Sequence, residues 1–270
     1  MNKTSGAAVT QSRPPAAMNT RDGVAILTLD RGDALNVIDA EMVGALQNCA
    51  DECAKSRELR VLLIRANGRC FGAGGDIKTF GVNGASTELS EHLNRIQVLQ
   101  QSLRSLPVVV IAAVHGAVAG GSLGLMNAAD IVVAADNTRF NIAYARIGAT
   151  PDAGLSFFLP RLVGERRALE LMMLGEAFDA ARARELGLVN FVFCAESFDQ
   201  ELGDLVKRLQ HGPTVAYAYM KRLTYRSFKS GFGEQSLAER DAFLSVMHSL
   251  DFSEGVSAFL EKRAPNFCGA

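Results

Sequence analysis

The sequence predicts an α/β core followed by a helical C-terminal region. Three observations carry that expectation. Through the first two thirds of the chain, apolar runs of strand length alternate with segments of helical period. In the last third, helical spacing dominates. Two glycine-rich turns each follow a strand-like run, Cys70-Phe71-Gly72-Ala73-Gly74-Gly75-Asp76-Ile77 and His115-Gly116-Ala117-Val118-Ala119-Gly120-Gly121-Ser122-Leu123-Gly124.

Residues 1–20 are rich in Ala, Ser, Thr and Pro, carry no acid and show no hydrophobic period, so they read as a disordered leader. Val24–Leu29 then reads as a strand. Asp39 is a suitable N-cap for a helix running to about Lys55. Arg60–Arg65 forms a second buried strand that ends at the first glycine turn. Thr87 or Ser90 opens a helix that continues to about Leu106. Pro107–Val114 is continuous and apolar, the pattern of a strand covered on both faces. The second turn leads into a short helix over Gly121–Ala128. Ile131–Ala135 and Val189–Phe193 supply later strands. Phe198–Gln210, Val215–Ser227, Glu234–Leu250 and Ser253–Arg263 carry helical spacing. The chain therefore divides into a leader over 1–20, a core over 21–200 and a helical region over 201–270, with no linker between independent domains.

Composition excludes several function classes. The chain has 270 residues, of which 48% are hydrophobic, enough for a sizeable core. Its 28 basic residues balance 29 acidic ones, so net charge gives no pointer to nucleic acid. The longest apolar run, Pro107–Val114, is too short to span a bilayer, and no secretory signal is expected. Five cysteines without paired spacing fit a reducing compartment and a cytoplasmic location. Cys49 and Cys53 share a helix face, but no second Cys/His pair accompanies them, so no metal site is expected.

The two turns offer backbone N–H groups with little side chain in the way. Converging backbone donors are what an enzyme uses to hold a carbonyl oxygen that becomes negative. In the second turn, the first N–H groups of the helix opening at Gly121 have no intrahelical partner, and Gly120 and Gly121 let a ligand come close. In the first turn, Ala73 offers its N–H between Gly72 and Gly74, and its small side chain leaves room for a substrate.

These stretches resemble the enoyl-CoA hydratase/isomerase (crotonase) superfamily. The matching residues are Ala34-Leu35-Asn36, Phe71 through Asp76, His115-Gly116 through Gly120-Gly121, Ala129-Asp130-Ile131 with Ala134, and Phe259-Leu260-Glu261-Lys262-Arg263. The resemblance implies a crotonase-like ββα spiral that binds an acyl-CoA thioester, with helical C-terminal contacts that make a homotrimer or a dimer of trimers. It implies Ala73 and Gly121 as the donors to the thioester oxygen. It places Ala34, Leu35, Gly72, Asp76, Ile77, Gly120 and Tyr144 along the substrate, and Phe259 and Lys262 near the CoA of a neighbouring subunit. No cofactor is implied, coenzyme A being part of the substrate.

The two glutamates of the family's hydratases are replaced here by Gly124 and Tyr144. Glycine cannot transfer a proton, and tyrosine is a poor base near neutral pH. Asp152, in Thr150-Pro151-Asp152-Ala153-Gly154, stands where several isomerase branches carry their base. One carboxylate and an oxyanion hole suffice to shift a double bond, so an enoyl-CoA isomerase is expected. Asp152 also suits an N-cap of the next helix. Three alternatives stand beside the isomerase. One is an enoyl-CoA hydratase with atypical catalytic residues. Another is a catalytically silent acyl-CoA-binding scaffold. The third is a serine hydrolase using Gly120-Gly121-Ser122-Leu123-Gly124 as a Gly-x-Ser-x-Gly elbow, with Asp152 and His248 following in order. Acyl-chain choice is expected to depend on the loose stretch Phe80–Leu93.

Overall fold

The alternation of apolar spacing is realised as alternating strands and helices. A computed structural model describes residues 14–77 and 87–270. The strands in chain order are β1 (Ala16–Arg21), β2 (Val24–Leu29), β3 (Val61–Ala66), β4 (Val109–Val114), β5 (Ala117–Ala119), β6 (Ile131–Ala135), β7 (Arg139–Asn141), β8 (Phe178–Asp179) and β9 (Phe191–Phe193). The helices are α1 (Ala40–Lys55), α2 (Thr87–Ser105), α3 (Gly121–Asn127), α4 (Leu155–Val163), α5 (Glu165–Leu174), α6 (Ala180–Glu185), α7 (Phe198–Gln210), α8 (Thr214–Ser227), α9 (Phe232–Val246) and α10 (Leu250–Glu261).

The larger sheet runs β1-β2-β3-β4-β6-β9, parallel except for the antiparallel β1–β2 hairpin. Every residue of β4 is buried, as its unbroken apolar run requires. The pleat sends alternate residues to opposite faces. Leu62, Ile64, Val110 and Ala112 join the core that includes Leu46 of α1 and Leu99 and Leu103 of α2. Val61, Leu63, Val109 and Ile111 meet Leu202, Leu205 and Val206 of α7 on the other face. α7 is thus a layer of the core, and the boundary expected at residue 201 falls inside it.

A second sheet, β5-β7-β8, stands beside the first. The chain leaves β4 for β5 and then α3, and leaves β6 for β7 and then α4. The first glycine turn repeats the move, because Gly72 bridges to Val118 of β5. This is the spiral of ββα turns, and it brings the ends of successive turns side by side.

The leader expectation needs correction. Residues 16–20 belong to β1, which pairs along its whole length with β2. An acid-free segment without helical period still makes a strand when a neighbour satisfies its backbone. Residues 1–13 lie outside the described residues. So do residues 80–86 of the stretch expected to be loose, and from Thr87 the chain is α2.

Asp39 caps α1 as its sequence position predicts, accepting from Met42 N–H at 2.9 Å and pairing with Arg31 at 2.7 Å. Asp39→Ala is expected to lower stability by about 1 kcal/mol, read as a lower urea midpoint at unchanged slope. Cys49 and Cys53 are buried thiols of the core, and burial pushes the Cys53 thiol up to about 11. At the far edge of the core, Lys221 of α8 pairs with Asp130 at 2.8 Å and reaches the carbonyls of Leu103 and Val108. Asp130 also accepts from Tyr225 and from Val110 N–H, so this buried cluster fastens α8 to the sheet. Among the described residues, no helix is long and apolar enough to cross a membrane.

Candidate active site

Three chain segments converge at the ends of the ββα turns. The first is the loop of residues 31–38, organised by Asn36. This residue is fully buried with a positive φ of 48°, and its amide donates to the carbonyls of Asn67 and Cys70 while accepting from Arg31 N–H. The other two segments are the glycine turns. They are laced into a short ladder: Phe71 N–H to His115 O, Gly72 N–H to Ala117 O, and Ala119 N–H to Gly72 O, at 2.9 to 3.1 Å. Ile38 N–H adds a bond to Gly74 O at 2.8 Å. The contact is so close that a Cβ on Gly74 would lie 3.0 Å from Ala119 O, and Gly74 also has φ +99°. Glycine is required there on both counts.

This lacing settles which amides are free. The N–H of Ala73 donates to Leu35 O at 3.0 Å, and that of Gly74 to Ser122 Oγ at 3.1 Å. The Ala73 N–H is therefore spent inside the fold and is not free to hold a thioester oxygen, contrary to the sequence expectation. Among the described residues, the N–H groups of Gly75 and Gly121 find no acceptor. The Gly75 nitrogen and the Asp152 carboxylate both lie beside Gly121. A methyl placed on Gly121 would lie 3.8 Å from the Gly75 nitrogen and 3.9 Å from Asp152 Oδ1. The first turn thus meets the second at Gly75, two residues beyond the position expected.

Asp152 stands beside Gly121 and does not cap a helix. The N-cap of α4 is Gly154, and no side chain caps it. The Asp152 carboxylate instead accepts a hydrogen bond from the Tyr144 hydroxyl. Burial, and after it the Asp152 charge, pushes the Tyr144 hydroxyl above its ordinary range. Tyr144 therefore remains a proton donor to Asp152 at neutral pH.

The loop carrying Asp152 lies directly against α3. A Cβ on Gly124 would fall 2.2 Å from Ala153 O and 2.4 Å from Ala153 Cβ. Gln100 of α2, a buried residue, clamps the same contact, donating to Gly124 O at 2.8 Å and to Ala153 O at 2.7 Å. Ala153 holds φ +47°, a strained conformation for a residue with a Cβ. Gly75, Gln100 and Ser122 all shape the site, and no role in it was expected of Gly75 or Gln100 from the sequence. Of the three, only Ser122 carried a motif that singled it out.

The remaining expected residues divide. Leu35 (φ +56°) holds the Ala73 N–H, and Ala34 closes the 3-10 turn before it. Gly72 and Gly120 spend their backbone groups on lacing, Gly120 N–H going to Asn141 O at 3.1 Å. Asp76 is half-buried and Ile77 is exposed at the end of the first turn. Phe259 is 83% exposed and lines a separate cavity of about 450 Å³ with Pro213, Phe252 and Phe267. Lys262 caps α10 with φ +57°. Within one chain, neither is brought to the glycine turns.

The serine-hydrolase arrangement is absent. Ser122 is fully buried, its Oγ accepts from Gly74 N–H, and His248 is exposed on the surface. A nucleophile elbow presents its serine to substrate at the end of a strand, whereas this serine packs inward between two turns.

Comparison with known proteins shows the family. The family model described as enoyl-CoA hydratase/isomerase matches residues 19–270. The trans-2-decenoyl-[acyl-carrier-protein] isomerase of Streptococcus mutans is 34% identical over 257 residues, covering 93% of this chain and 97% of that protein. The 1,2-epoxyphenylacetyl-CoA isomerase of Escherichia coli is 34% identical over 250 residues, covering 92% and 95%. A solved enoyl-CoA hydratase from Polaromonas sp. JS666 superimposes with a TM-score of 0.88 at 32% identity, covering 93% of this chain and 99% of that one. Fold, glycine turns and relatives agree: the chain belongs to the enoyl-CoA hydratase/isomerase family and has the crotonase fold.

Proposed function

We propose that the protein is an enoyl thioester isomerase with one carboxylate base. The observation that carries this reading is the shared space bounded by the unbonded Gly75 and Gly121 amides and by Asp152 Oδ1. A thioester oxygen in that space accepts from both N–H groups. Asp152 takes the proton from the carbon next to the thioester. The electron pair of that C–H bond spreads onto the oxygen, where the two amides stabilise it. Asp152 then returns the proton to the carbon two positions further along, and the double bond moves into conjugation. One such amide typically contributes about 3–4 kcal/mol to the barrier of chemistry of this kind.

Tyr144 supports the base by donating to Oδ1, the carboxylate oxygen that borders this space, and so holds the carboxyl there. Tyr144→Phe is expected to lower kcat about tenfold, the worth of one hydrogen bond, with substrate affinity kept. Steady-state kinetics checks this directly.

Hydration draws no support from the site. It needs one group to activate water and another to deliver a proton. Position 124 has no side chain, and position 144 holds a donor that is already committed to Asp152. The deciding experiment offers the enzyme cis- and trans-3-enoyl-CoA and 2-enoyl-CoA. Conversion of the 3-enoyl thioesters to conjugated product is the expected result. Hydration of 2-enoyl-CoA without isomerisation would overturn the proposal, and tight CoA binding without any turnover would make the protein a scaffold. Acyl-carrier-protein thioesters belong in the panel, because the Streptococcus mutans relative is named for one.

We further infer a homotrimer or dimer of trimers, built through the C-terminal helices. Phe228, Phe232, Phe243, Leu250, Phe259 and Leu260 are large apolar side chains exposed on α8–α10 and their connections, more than a solitary chain would leave in water. Sedimentation at several concentrations tests it. A cytoplasmic location is supported by the five cysteines, all of which carry free thiols.

A further inference from the structure

We propose that Ser122 is a positioning residue that sets the spacing of the two oxyanion donors. The inference rests on the placement of the thioester oxygen between Gly75 and Gly121. Ser122 follows Gly121 directly in α3, so its side chain is fixed to the same backbone that carries one donor. Its Oγ accepts the N–H of Gly74 at 3.1 Å, and Gly74 is the residue immediately before the other donor. One hydroxyl thus ties the two donor-bearing backbones together from behind, one residue away from each.

The surroundings are built for that bond. Ser122 is fully buried. Its Oγ occupies the space that a Cβ on Gly72 would need, 2.3 Å away, so the serine is inserted into the first turn between Gly72 and Gly74. Among the described residues, no other side chain accepts from the backbone N–H groups of the first turn. The remaining bonds of this region, Gly72 to Ala117, Ala119 to Gly72 and Ile38 to Gly74, fix the two turns on either side of the donors. Without the hydroxyl, the Gly74 N–H is left buried with no acceptor. The peptide between Gly74 and its neighbours then gains from turning toward another partner, and Gly75 turns with it. An oxyanion hole depends on donors fixed in advance, so a small rotation here acts on the transition state more than on binding.

The test uses the full chain and two CoA ligands. The first is an aryl-acryloyl-CoA thioester whose absorption moves to longer wavelength as its carbonyl is polarised. The second is the matching thioether, which lacks the carbonyl oxygen. Ser122→Ala removes one atom and adds none. It is expected to lose more than half of the red shift and to lower kcat about tenfold or more, while thioether affinity changes less than about twofold. Ser122→Thr, which returns a hydroxyl, is expected to recover most of the red shift. An unchanged red shift in Ser122→Ala would overturn the role of Ser122 and leave the donor pair standing. So would an equal loss of affinity for thioester and thioether, the mark of general loosening. If the wild-type chain binds the thioester with no red shift, the donor pair itself is wrong and this proposal falls with it.

Discussion

Asp152→Asn is expected to reduce kcat for isomerisation by about 10²–10⁴-fold while leaving CoA affinity within about twofold. The substitution keeps the shape of the side chain. Its carbonyl oxygen can still accept from Tyr144, as the Asp152 Oδ1 does now. The loop should also hold its position, since Gln100 binds the backbone oxygen of Ala153 and not the carboxylate. What is lost is the capacity to take and return a proton. Because the same group performs both transfers in the proposed reaction, no second residue can take over half of the work. Single-turnover kinetics on a 3-enoyl-CoA, alongside direct binding of the same thioester, separates the chemical step from affinity. A loss smaller than about threefold would remove Asp152 from the mechanism, because positioned acid–base groups contribute far more than that.

The placement of Asp152 illustrates how much the sequence carried. Asp152 was recognisable as a candidate, but its two possible roles have the same local signature. An aspartate ahead of an apolar helix reads as a cap. Its side chain is turned away from that role by Tyr144, which stands in the preceding 3-10 turn. The elements with strong local signals were legible: Asp39 with the periodic residues of α1, the unbroken run of β4, and the amphipathic α7. The strands of the small sheet were not, because β5, β7 and β8 span only two or three residues and show no period. β1 was missed because its pairing with β2, more than its own composition, makes it a strand.

The direction of the Ala73 N–H was hidden from the sequence for a related reason. Ala73 and Gly75 are neighbours in a glycine-rich turn, and either N–H could point outward as far as the sequence shows. Their directions are fixed by acceptors far away in the chain, Leu35 O for Ala73 and Ser122 Oγ for Gly74. After those two bonds are made, Gly75, beside Gly121, carries an amide with no acceptor among the described residues. Local sequence specified that the turn must be permissive. Tertiary hydrogen bonding decided which of its amides remained available.

Gly124→Glu is expected to destabilise the fold and to confer no hydratase activity, although it restores the acid that the family's hydratases carry at this place. Glycine here reflects more than the loss of a catalytic group. The Asp152 loop occupies the space above α3, so that even a Cβ at 124 would meet the backbone oxygen of Ala153 at 2.2 Å. That oxygen cannot yield easily, since Gln100 holds it together with Gly124 O. Overpacking of this kind costs about 1–3 kcal/mol and sometimes more. With backbone on one side of the clash, a value near or above the top of that range is expected. Gly124→Ala, which adds the Cβ without the acid, should account for most of the loss in urea unfolding. Any relief must come from displacing Ala153 and with it Asp152, so isomerase activity should fall in both variants. A Gly124→Glu protein that keeps wild-type stability and hydrates 2-enoyl-CoA would show that the loop can retreat. It would also show that one carboxylate on that loop does not by itself exclude two-acid chemistry.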